Sequence, residues 1–229
     1  MLSVVIPTQN SEEGLARTLV SLVPAAAEGV VREVVVADAG SSDGTRIVAD
    51  AAGCSLVEIS GGWLTRVGAG VHAARRTPWF LILTPNVVLE AHWYREAASF
   101  VERAERTGHA DAHVGTFRIA YEEFGWRPRL AERVVGISGA LLGRPLREQG
   151  LIISRRHLEA LAARIPDRYA GHGDLVGRMS RAHIHRLRAD AVVLPPSSGG
   201  RATPSLGRLL RITSSALGLP TPTGDWTEE

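Results

Sequence analysis

The residues best suited to chemistry lie in the segment Asp38–Thr45, which reads Asp-Ala-Gly-Ser-Ser-Asp-Gly-Thr and follows the apolar run Val34–Ala37. An acidic side chain at the end of a buried strand can accept hydrogen bonds from a nucleoside. The small residues after it allow a ligand to approach the backbone closely. Asp43 also has a purely structural role open to it, because it can cap the helix that follows. The segment therefore predicts a nucleotide site.

Three kinds of nucleotide site contain such a segment, and the rest of the sequence separates them. A dinucleotide site needs a G-x-G-x-x-G turn after the first strand, whereas Pro7–Asn10 stands there. A methyl-donor site of the S-adenosylmethionine type resembles Asp-x-Gly-x-Gly-x-Gly. Ser42 occupies the place of its middle glycine, and the segment follows the second strand rather than the first. The third kind, a nucleotide-sugar site, agrees better with the sequence.

The first half of the chain must position these residues, and it alternates apolar runs with helical patterns. Strands are predicted over 2–6, 33–37, 55–59 and 79–83, and helices from Glu12 to Pro24, from 45 to 51, over 65–75 and over 92–106. This alternation predicts an α/β fold with a doubly wound, mostly parallel sheet flanked by helices. Ligands of such sheets bind beyond the carboxyl ends of the strands. Thr8, Asp38 and Asn86 are therefore expected around one crevice.

The second half of the chain has a less regular pattern. Strands are predicted over 112–121, 150–154 and 191–194, and helices over 129–143, 157–164, 174–186 and 206–217. We expect one domain over 1–205, with a nucleotide-binding half over about 1–110 and an acceptor-facing half over about 111–205. Residues 206–229 are expected to form a peripheral helix and a tail, because Pro, Ser, Gly and Thr accumulate there.

Composition excludes several classes of protein. With 229 residues, 45% hydrophobic and 22% charged, the chain can bury a core and is not disordered as a whole. Its single cysteine, Cys54, rules out an internal disulfide framework. No apolar run reaches the length of a membrane span and no basic leader precedes the first strand, so we expect a cytoplasmic protein, free or peripheral to a membrane. The net charge of only +2 indicates no nucleic-acid partner.

Two motifs in combination resemble a known family. Residues 3–13, Ser-Val-Val-Ile-Pro-Thr-Gln-Asn-Ser-Glu-Glu, and the segment Asp38–Thr45 are similar to the family 2 glycosyltransferases of the GT-A fold, above all to a bacterial branch with "IPTLNEE" and "DGGSSDGT". The resemblance covers residues 2 to about 195. It implies that Thr8, Asn10 and Gly40 line the nucleoside and that Asp38 binds the base of a UDP- or GDP-type donor.

The resemblance also implies a basic residue facing the donor diphosphate. Arg66 lies near that position, although an alignment without gaps puts Trp63 there and Arg66 three residues later. A guanidinium suits the task, because its planar fork matches the oxygens of a phosphate.

The metal motif of the family is altered. GT-A enzymes usually hold Mg²⁺ or Mn²⁺ with an Asp-x-Asp or equivalent acid after the fourth strand, but this chain has Asn86 there and no second acid before Glu90. An amide oxygen binds a hard cation more weakly than a carboxylate does. Asn86 remains the candidate metal position, and we expect weak dependence on Mg²⁺ or Mn²⁺. The pairs His109/His113 and His183/His185 are interpreted as surface histidines rather than as metal ligands.

Three residues are candidates for the catalytic base on the acceptor side. The family's "GDQG" corresponds to residues 147–150, where Glu148 keeps an acid, and its "EDVDLVRRL" corresponds to residues 171–179, which contain His172 and Asp174. An inverting transferase needs one base beside the acceptor hydroxyl. His172 and Asp174 also have structural interpretations, as a loop histidine and a helix cap.

The resemblance implies transfer of a sugar from a nucleotide-diphosphate sugar to an acceptor, lipid-linked or a small molecule, with inversion. One alternative is a GT-A domain that has lost its chemistry and serves as a nucleotide-sugar binder or partner subunit, which Asn86 and Gly171-His172 favour. A second alternative is an S-adenosylmethionine-dependent methyltransferase, which Ser42 and the strand order disfavour.

Overall fold

The structure, a computed structural model, describes residues 1–121, 144–165 and 171–195. Its strands are β1 (Leu2–Thr8), β2 (Val31–Asp38), β3 (Ser55–Glu58), β4 (Trp79–Ile82), β5 (Val87–Leu89), β6 (Val114–Tyr121), β7 (Leu151–Ser154) and β8 (Ile184–Val193). Its α-helices are α1 (Glu12–Ala27), α2 (Thr45–Ala51), α3 (Trp63–Ala73), α4 (Trp93–Arg106), α5 (Arg155–Ala162) and α6 (His172–Gly177). Short 3₁₀ turns cover Arg147–Gln149 and Arg181–His183. The helices predicted over 129–143 and 206–217, and the tail, lie outside the described residues.

All eight strands form one sheet in the order β3-β2-β1-β4-β7-β6-β8-β5. The four strands from β3 to β4 are mutually parallel, and β6 and β8 are also parallel to each other. Strand β7 is antiparallel to both of its neighbours, and β5 is antiparallel to β8 at the edge. The predicted α/β fold with a mostly parallel sheet is confirmed.

Helices cover both faces of this sheet, and its central strands are therefore buried on both sides. In β1, Val4 and Ile6 pack on one face and Val5 packs on the other. The first face is covered by apolar residues of α1 and α4, namely Leu15, Leu19, Leu22, Trp93, Ala97 and Phe100. The second is covered by residues of α3, α5 and α6, namely Val67, Val71, Leu158, Leu161, Leu175 and Val176. This double covering is the doubly wound arrangement that the sequence predicts.

The helix predicted over 174–186 is wrong. Helix α6 ends at Gly177, and the long strand β8 begins at Ile184. Leu187, Ala189 and Ala191 are buried while polar residues separate them, which is the period-two pattern of a strand. Strand β5, which pairs with the end of β8, was missed because only three residues form it.

The predicted end of α1 at Pro24 is also wrong. The helix continues to Ala27 and stops at Gly29, which has a φ of 67° and donates its N–H to the Ala26 carbonyl at 3.0 Å. Proline removes one helical hydrogen bond, here to the Val20 carbonyl. Because the Val20 side chain is 70% exposed, this turn of the helix faces water. Glycine adopts the left-handed conformation that ends a helix, so Gly29 gives the stronger stop signal.

Among the described residues, every helix is too short or too polar to span a bilayer.

Helix α3 lies close against β1 because a glycine stands at the contact. A Cβ atom at Gly70 would lie only 2.5 Å from Cγ1 of Val5, and the β-branched valine has little freedom to move away. A Cβ atom at Gly68 would have no atom within 4 Å. The position of α3, and of any residue that it carries toward the sheet edge, depends on Gly70.

We expect Gly70→Ala to lower the free energy of unfolding by about 1–3 kcal/mol, because the added methyl group overpacks the contact. The matched variant Gly68→Ala should raise it by about 0.5–1 kcal/mol, since alanine favours the helix and meets no neighbour. Denaturant titration measures both values. Changes of the same sign in the two variants would contradict this account of the packing.

Candidate functional site

A cleft of about 280 Å³ lies at the carboxyl ends of β1 and β4, where a parallel sheet is expected to bind ligands. It is lined by Pro7, Gln9, Ser11, Trp63, Arg66, Thr84, Pro85, Asn86, Arg147 and Glu148. Its volume is near the lower end of the usual range for ligand sites, about 300–1,000 Å³. Gly14 allows α1 to approach the Asn86 loop, since a Cβ atom there would lie 2.5 Å from the Pro85 carbonyl oxygen. The cleft therefore brings together Arg66, Asn86 and Glu148.

The Asp38 carboxylate does not line the cleft itself and is fully buried. Thr8 is its neighbour in the parallel register of β1 and β2, and the Thr8 hydroxyl donates to Oδ1 at 2.8 Å. The Ser41 hydroxyl donates to the same oxygen at 2.5 Å, and the N–H groups of Gly40 and Ser41 donate to Oδ2 at 3.1 and 2.7 Å. Burial acts to raise the pKa of Asp38, but these hydrogen bonds outweigh it and the pKa is lowered. The carboxylate is thus held in its charged form by protein donors.

The loops after β1 and β2 form one rim above Asp38. Asn10 has a φ of 47°, donates its N–H to Ser41 Oγ at 2.8 Å, and accepts the Ser42 N–H on Oδ1 at 2.9 Å. Gly40 has a φ of 81°, and no atom lies within 4 Å of where its Cβ would be. The rim therefore has a rigid connection at Asn10 and open space beside Gly40.

Arg66 connects the first turn of α3 to the end of β1. Its Nη1 donates to the Thr8 carbonyl at 2.9 Å, whereas its buried Nε has no hydrogen-bond partner. Burial lowers the pKa of the Arg66 guanidinium, and the nearby Asp38 charge opposes this effect. The Thr8 carbonyl is thus the hydrogen-bond partner that the described residues give this guanidinium.

Arg147 enters the cleft from the other half of the chain, and sequence reasoning missed it. Its 3₁₀ turn is fixed by the buried Gln149, which accepts the Leu146 N–H at 2.8 Å and donates to the Phe117 carbonyl at 3.0 Å. The Arg147 guanidinium carbon lies 5.4 Å from the centre of the Trp63 ring, within the range of a cation–π contact. The sequence feature that could have indicated Arg147 is its position directly before Glu148, in a segment already assigned to the site.

The three candidate bases differ in position. Glu148 lines the cleft, whereas Asp174 accepts the Gly171 N–H at 3.3 Å at the start of α6. His172 is only 6% exposed, and its ring packs edge-on against Trp63 with 5.0 Å between ring centres. Burial lowers the pKa of His172 to about 3, and the Arg147 charge acts in the same direction. Among these three residues, Glu148 is the one that lines the cleft with Arg66 and Asn86.

The lining residues do not fit a divalent cation. In the described part of the chain, they include one carboxylate, Glu148, together with the Asn86 amide and the positive charges of Arg66 and Arg147. Mg²⁺ and Mn²⁺ prefer oxygen ligands, with carboxylates foremost. Within residues 1–121, 144–165 and 171–195, no group of three or more His, Cys, Asp or Glu side chains is arranged to hold a metal ion.

Four histidines cluster at a separate place on the sheet. The ring of His113 is stacked on His109 at 4.8 Å and lies 5.2 Å from His183 and 4.5 Å from His185. His109 and His185 are exposed, and the other two are half-buried. His109 and His113 contact each other through their ring faces and not through their ring nitrogens. This is a packing arrangement and not a set of metal ligands.

Residues 3–156 match the family model of Glycosyl transferase family 2, and the chain belongs to this family. This membership indicates a glycosyltransferase and sets aside the methyltransferase alternative. No curated protein sequence is similar enough to the chain to match it.

Solved structures share the fold. Glucosyl-3-phosphoglycerate synthase from Mycobacterium tuberculosis in complex with phosphoglyceric acid matches with a TM-score of 0.57 and 20% identity, over 96% of this chain and 81% of that one. The same synthase with Mn²⁺, UDP and glucosyl-3-phosphoglycerate matches with a TM-score of 0.56 and 19% identity, over the same shares. A mycobacterial protein matches with a TM-score of 0.58 and 21% identity, over 96% and 76%. The fold is therefore that of the GT-A glycosyltransferases.

We expect Asp38→Ala to destabilise the fold by about 1–3 kcal/mol or more, because four donors lose their acceptor. Asp50→Ala, which removes an exposed acid from α2, is the matched control and should stay within about 0.5 kcal/mol of the wild type. Denaturant unfolding measures both variants. Equal stability of Asp38→Ala and the wild type would show that the carboxylate does not organise the rim.

Stability should depend on pH through His172. Below the usual histidine pKa of about 6.5, His172 binds a proton in the unfolded chain but not in the folded protein. Well below that pH, this residue should lower the free energy of unfolding by about 1.4 kcal/mol for each unit by which the pH falls. His172→Phe should reduce the loss of stability between pH 6.5 and 5.5 by about 1 kcal/mol, because half of the unfolded chains already carry the proton at pH 6.5. His72→Phe, at an exposed position of α3, should keep the wild-type slope. An unchanged slope in His172→Phe would contradict the burial of a neutral imidazole.

Proposed function

We propose that the chain transfers a sugar from a nucleoside-diphosphate sugar to an acceptor hydroxyl, with inversion at the anomeric carbon. The observation that carries this proposal is the pairing of Arg66 and Glu148 in one cleft at the carboxyl edge of the sheet. A cation can hold the departing diphosphate, and a carboxylate can take the proton of the attacking hydroxyl.

The nucleoside is assigned to the rim formed by the loops after β1 and β2. Open space beside Gly40 leaves room for a ring against the backbone, and Asn10 fixes the opposite side of the rim. The four donors on Asp38 fill the four lone-pair positions of a carboxylate. Asp38 therefore acts on the nucleotide mainly by holding Thr8, Gly40 and Ser41 in place.

The diphosphate is assigned to Arg66. Since one of its N–H groups anchors to the Thr8 carbonyl, the guanidinium is oriented before the donor binds. A nucleoside-diphosphate donor is supported by analogy of fold, because the solved M. tuberculosis synthase has been captured with UDP-glucose, Mn²⁺ and phosphoglyceric acid.

Glu148 is assigned as the general base. As the acceptor oxygen attacks the anomeric carbon, its proton passes to the Glu148 carboxylate and the bond to the diphosphate breaks with its electron pair on the leaving oxygen. A single displacement of this kind inverts the anomeric carbon. His172 suits the task less well, because it is buried behind Trp63 and its pKa is lowered to about 3.

The acceptor is either a small molecule or a lipid-linked compound. The solved synthase binds a small acceptor, phosphoglyceric acid, which favours the first class by analogy of fold alone.

A second candidate is a binding domain without turnover. The change to Asn86 and the burial of His172 favour it, because both affect positions where the family carries functional side chains. Release of UDP or GDP from sugar nucleotides separates the two candidates, since a binder shifts its melting temperature with these donors but releases nothing.

Glu148→Gln should lower kcat by about 10²–10⁴-fold while the affinity for the donor is kept, because only proton transfer is removed. Release of UDP or GDP from a panel of sugar nucleotides, with small hydroxyl compounds and lipid-linked acceptors in separate arms, measures the rate.

Glu102→Gln, an exposed substitution on α4, serves as the control and should leave the rate unchanged. A large loss in Asp174→Asn with none in Glu148→Gln would move the base to α6. Binding of UDP or GDP without turnover by the wild type would favour the binding domain.

A further inference from the structure

The described side chains that line the cleft carry a net positive charge. Arg66 and Arg147 contribute two guanidinium groups and Glu148 contributes one carboxylate. Arg66 and Arg147 line the same cleft, and the charge of Arg66 acts on the Arg147 guanidinium, so the two arginines lie within electrostatic reach of each other. Like charges held in one cleft favour an anionic ligand that neutralises both.

Both guanidinium groups have N–H groups without a hydrogen-bond partner among the described residues. Arg66 uses Nη1 for the Thr8 carbonyl, and its Nε has no partner. Arg147 contacts the Trp63 ring, and among the described residues its side chain forms no hydrogen bond or ion pair. Five buried side-chain polar atoms of the described residues lack a partner, and three of them belong to cleft residues: Trp63 Nε1, Arg66 Nε and Thr84 Oγ1. Such a concentration marks the cleft as a site for an acceptor-rich ligand.

The same charges disfavour a divalent cation. A cation beside Asn86 would meet one carboxylate and two guanidinium groups in the described part of the cleft. Repulsion from the arginines would oppose the attraction of Glu148, and the Asn86 amide adds only a neutral oxygen.

We propose that Arg147 is a second diphosphate-binding residue, and that it and Arg66 together neutralise the diphosphate without a divalent cation. This inference rests on the proposed function, which supplies the diphosphate. Arg66 approaches from α3 and Arg147 from the turn before β7, so the two planar forks hold the ligand from different elements of the fold.

The arginine pair supplies charge and no proton. When the bond between sugar and diphosphate breaks, the electron pair stays on the diphosphate oxygen, and the guanidinium groups stabilise that charge. They remain protonated throughout, because arginine is not deprotonated in proteins. The proton of the acceptor hydroxyl goes to Glu148, so the step balances without a metal-bound species.

Calorimetric titration of the full chain tests the proposal, with UDP, UMP and uridine, the corresponding guanosine series, and inorganic pyrophosphate as probes. Arg147→Ala should weaken binding of the preferred diphosphate by about 10- to 100-fold, the usual cost of a hydrogen bond to a charged group. The nucleoside should bind equally to both forms, which also shows that the rim is intact. Arg147→Lys should recover part of the loss.

Arg95→Ala removes an exposed arginine from α4 that does not line the cleft, and it should bind the diphosphate like the wild type. The affinity of the wild type should be the same in EDTA and in saturating MnCl₂. The double variant Arg66→Ala/Arg147→Ala should bind the diphosphate no better than the nucleoside.

Two results would overturn the inference while leaving the proposed function in place: diphosphate affinity unchanged in Arg147→Ala, or a loss in EDTA as large as that of Arg147→Ala. Pyrophosphate binding that depends on both arginines, without binding of any nucleotide, would support the arginine site and refute the nucleotide donor. Absence of binding by every probe would refute both.

Discussion

The buried carboxylate of Asp38 is the constraint on which the cleft depends. A charged group without solvent must be surrounded by donors, and here the donors come from Thr8 at the end of β1 and from Gly40 and Ser41 after β2. The hydrogen bonds to the Asp38 carboxylate therefore fix the positions of the loops after β1 and β2. The Thr8 carbonyl then accepts a hydrogen bond from Arg66 of α3. One carboxylate and a short chain of hydrogen bonds thus position the loops after β1 and β2 and the Arg66 side chain.

Charge neutralisation can be achieved on this fold by more than one set of residues. The resemblance to GT-A enzymes implies an acid that holds a cation, and a cation in turn neutralises the diphosphate. This chain has Asn86 at that position and two guanidinium groups in the same cleft. Guanidinium groups bind phosphate oxygens directly. A cleft without the acid can therefore still be positively charged, because arginine side chains supply the charge that a cation would bring.

Sequence patterns predicted the first half of the fold better than the second, for physical reasons. Strands β1, β2 and β4 are largely buried and contain continuous apolar runs, which a sequence pattern detects directly. Strand β8 is exposed on one face, and its alternation around Leu187 is too short to outweigh the helical pattern that precedes it. The sequence predicts Asp38 as a base-binding residue, but its saturation by protein donors depends on Ser41 and Gly40 folding back, which spacing alone does not reveal. Arg147 was missed because its position depends on Gln149 and Phe117, which are distant in sequence.

Trp63 joins the two halves of the chain at the cleft. The Arg147 guanidinium lies over its face, and the His172 ring packs against its edge. Both partners come from the second half, whereas Trp63 begins the helix that carries Arg66. Displacement of Trp63 would therefore move the residues assigned to the diphosphate and release the neutral, buried imidazole at the same time. The low pKa of His172 follows from this arrangement, because burial against Trp63 and the charge of Arg147 both disfavour an imidazolium. A histidine in the acceptor-side motif can thus serve the site by packing alone, while Glu148, on the turn that carries Arg147, supplies the carboxylate that faces the cleft.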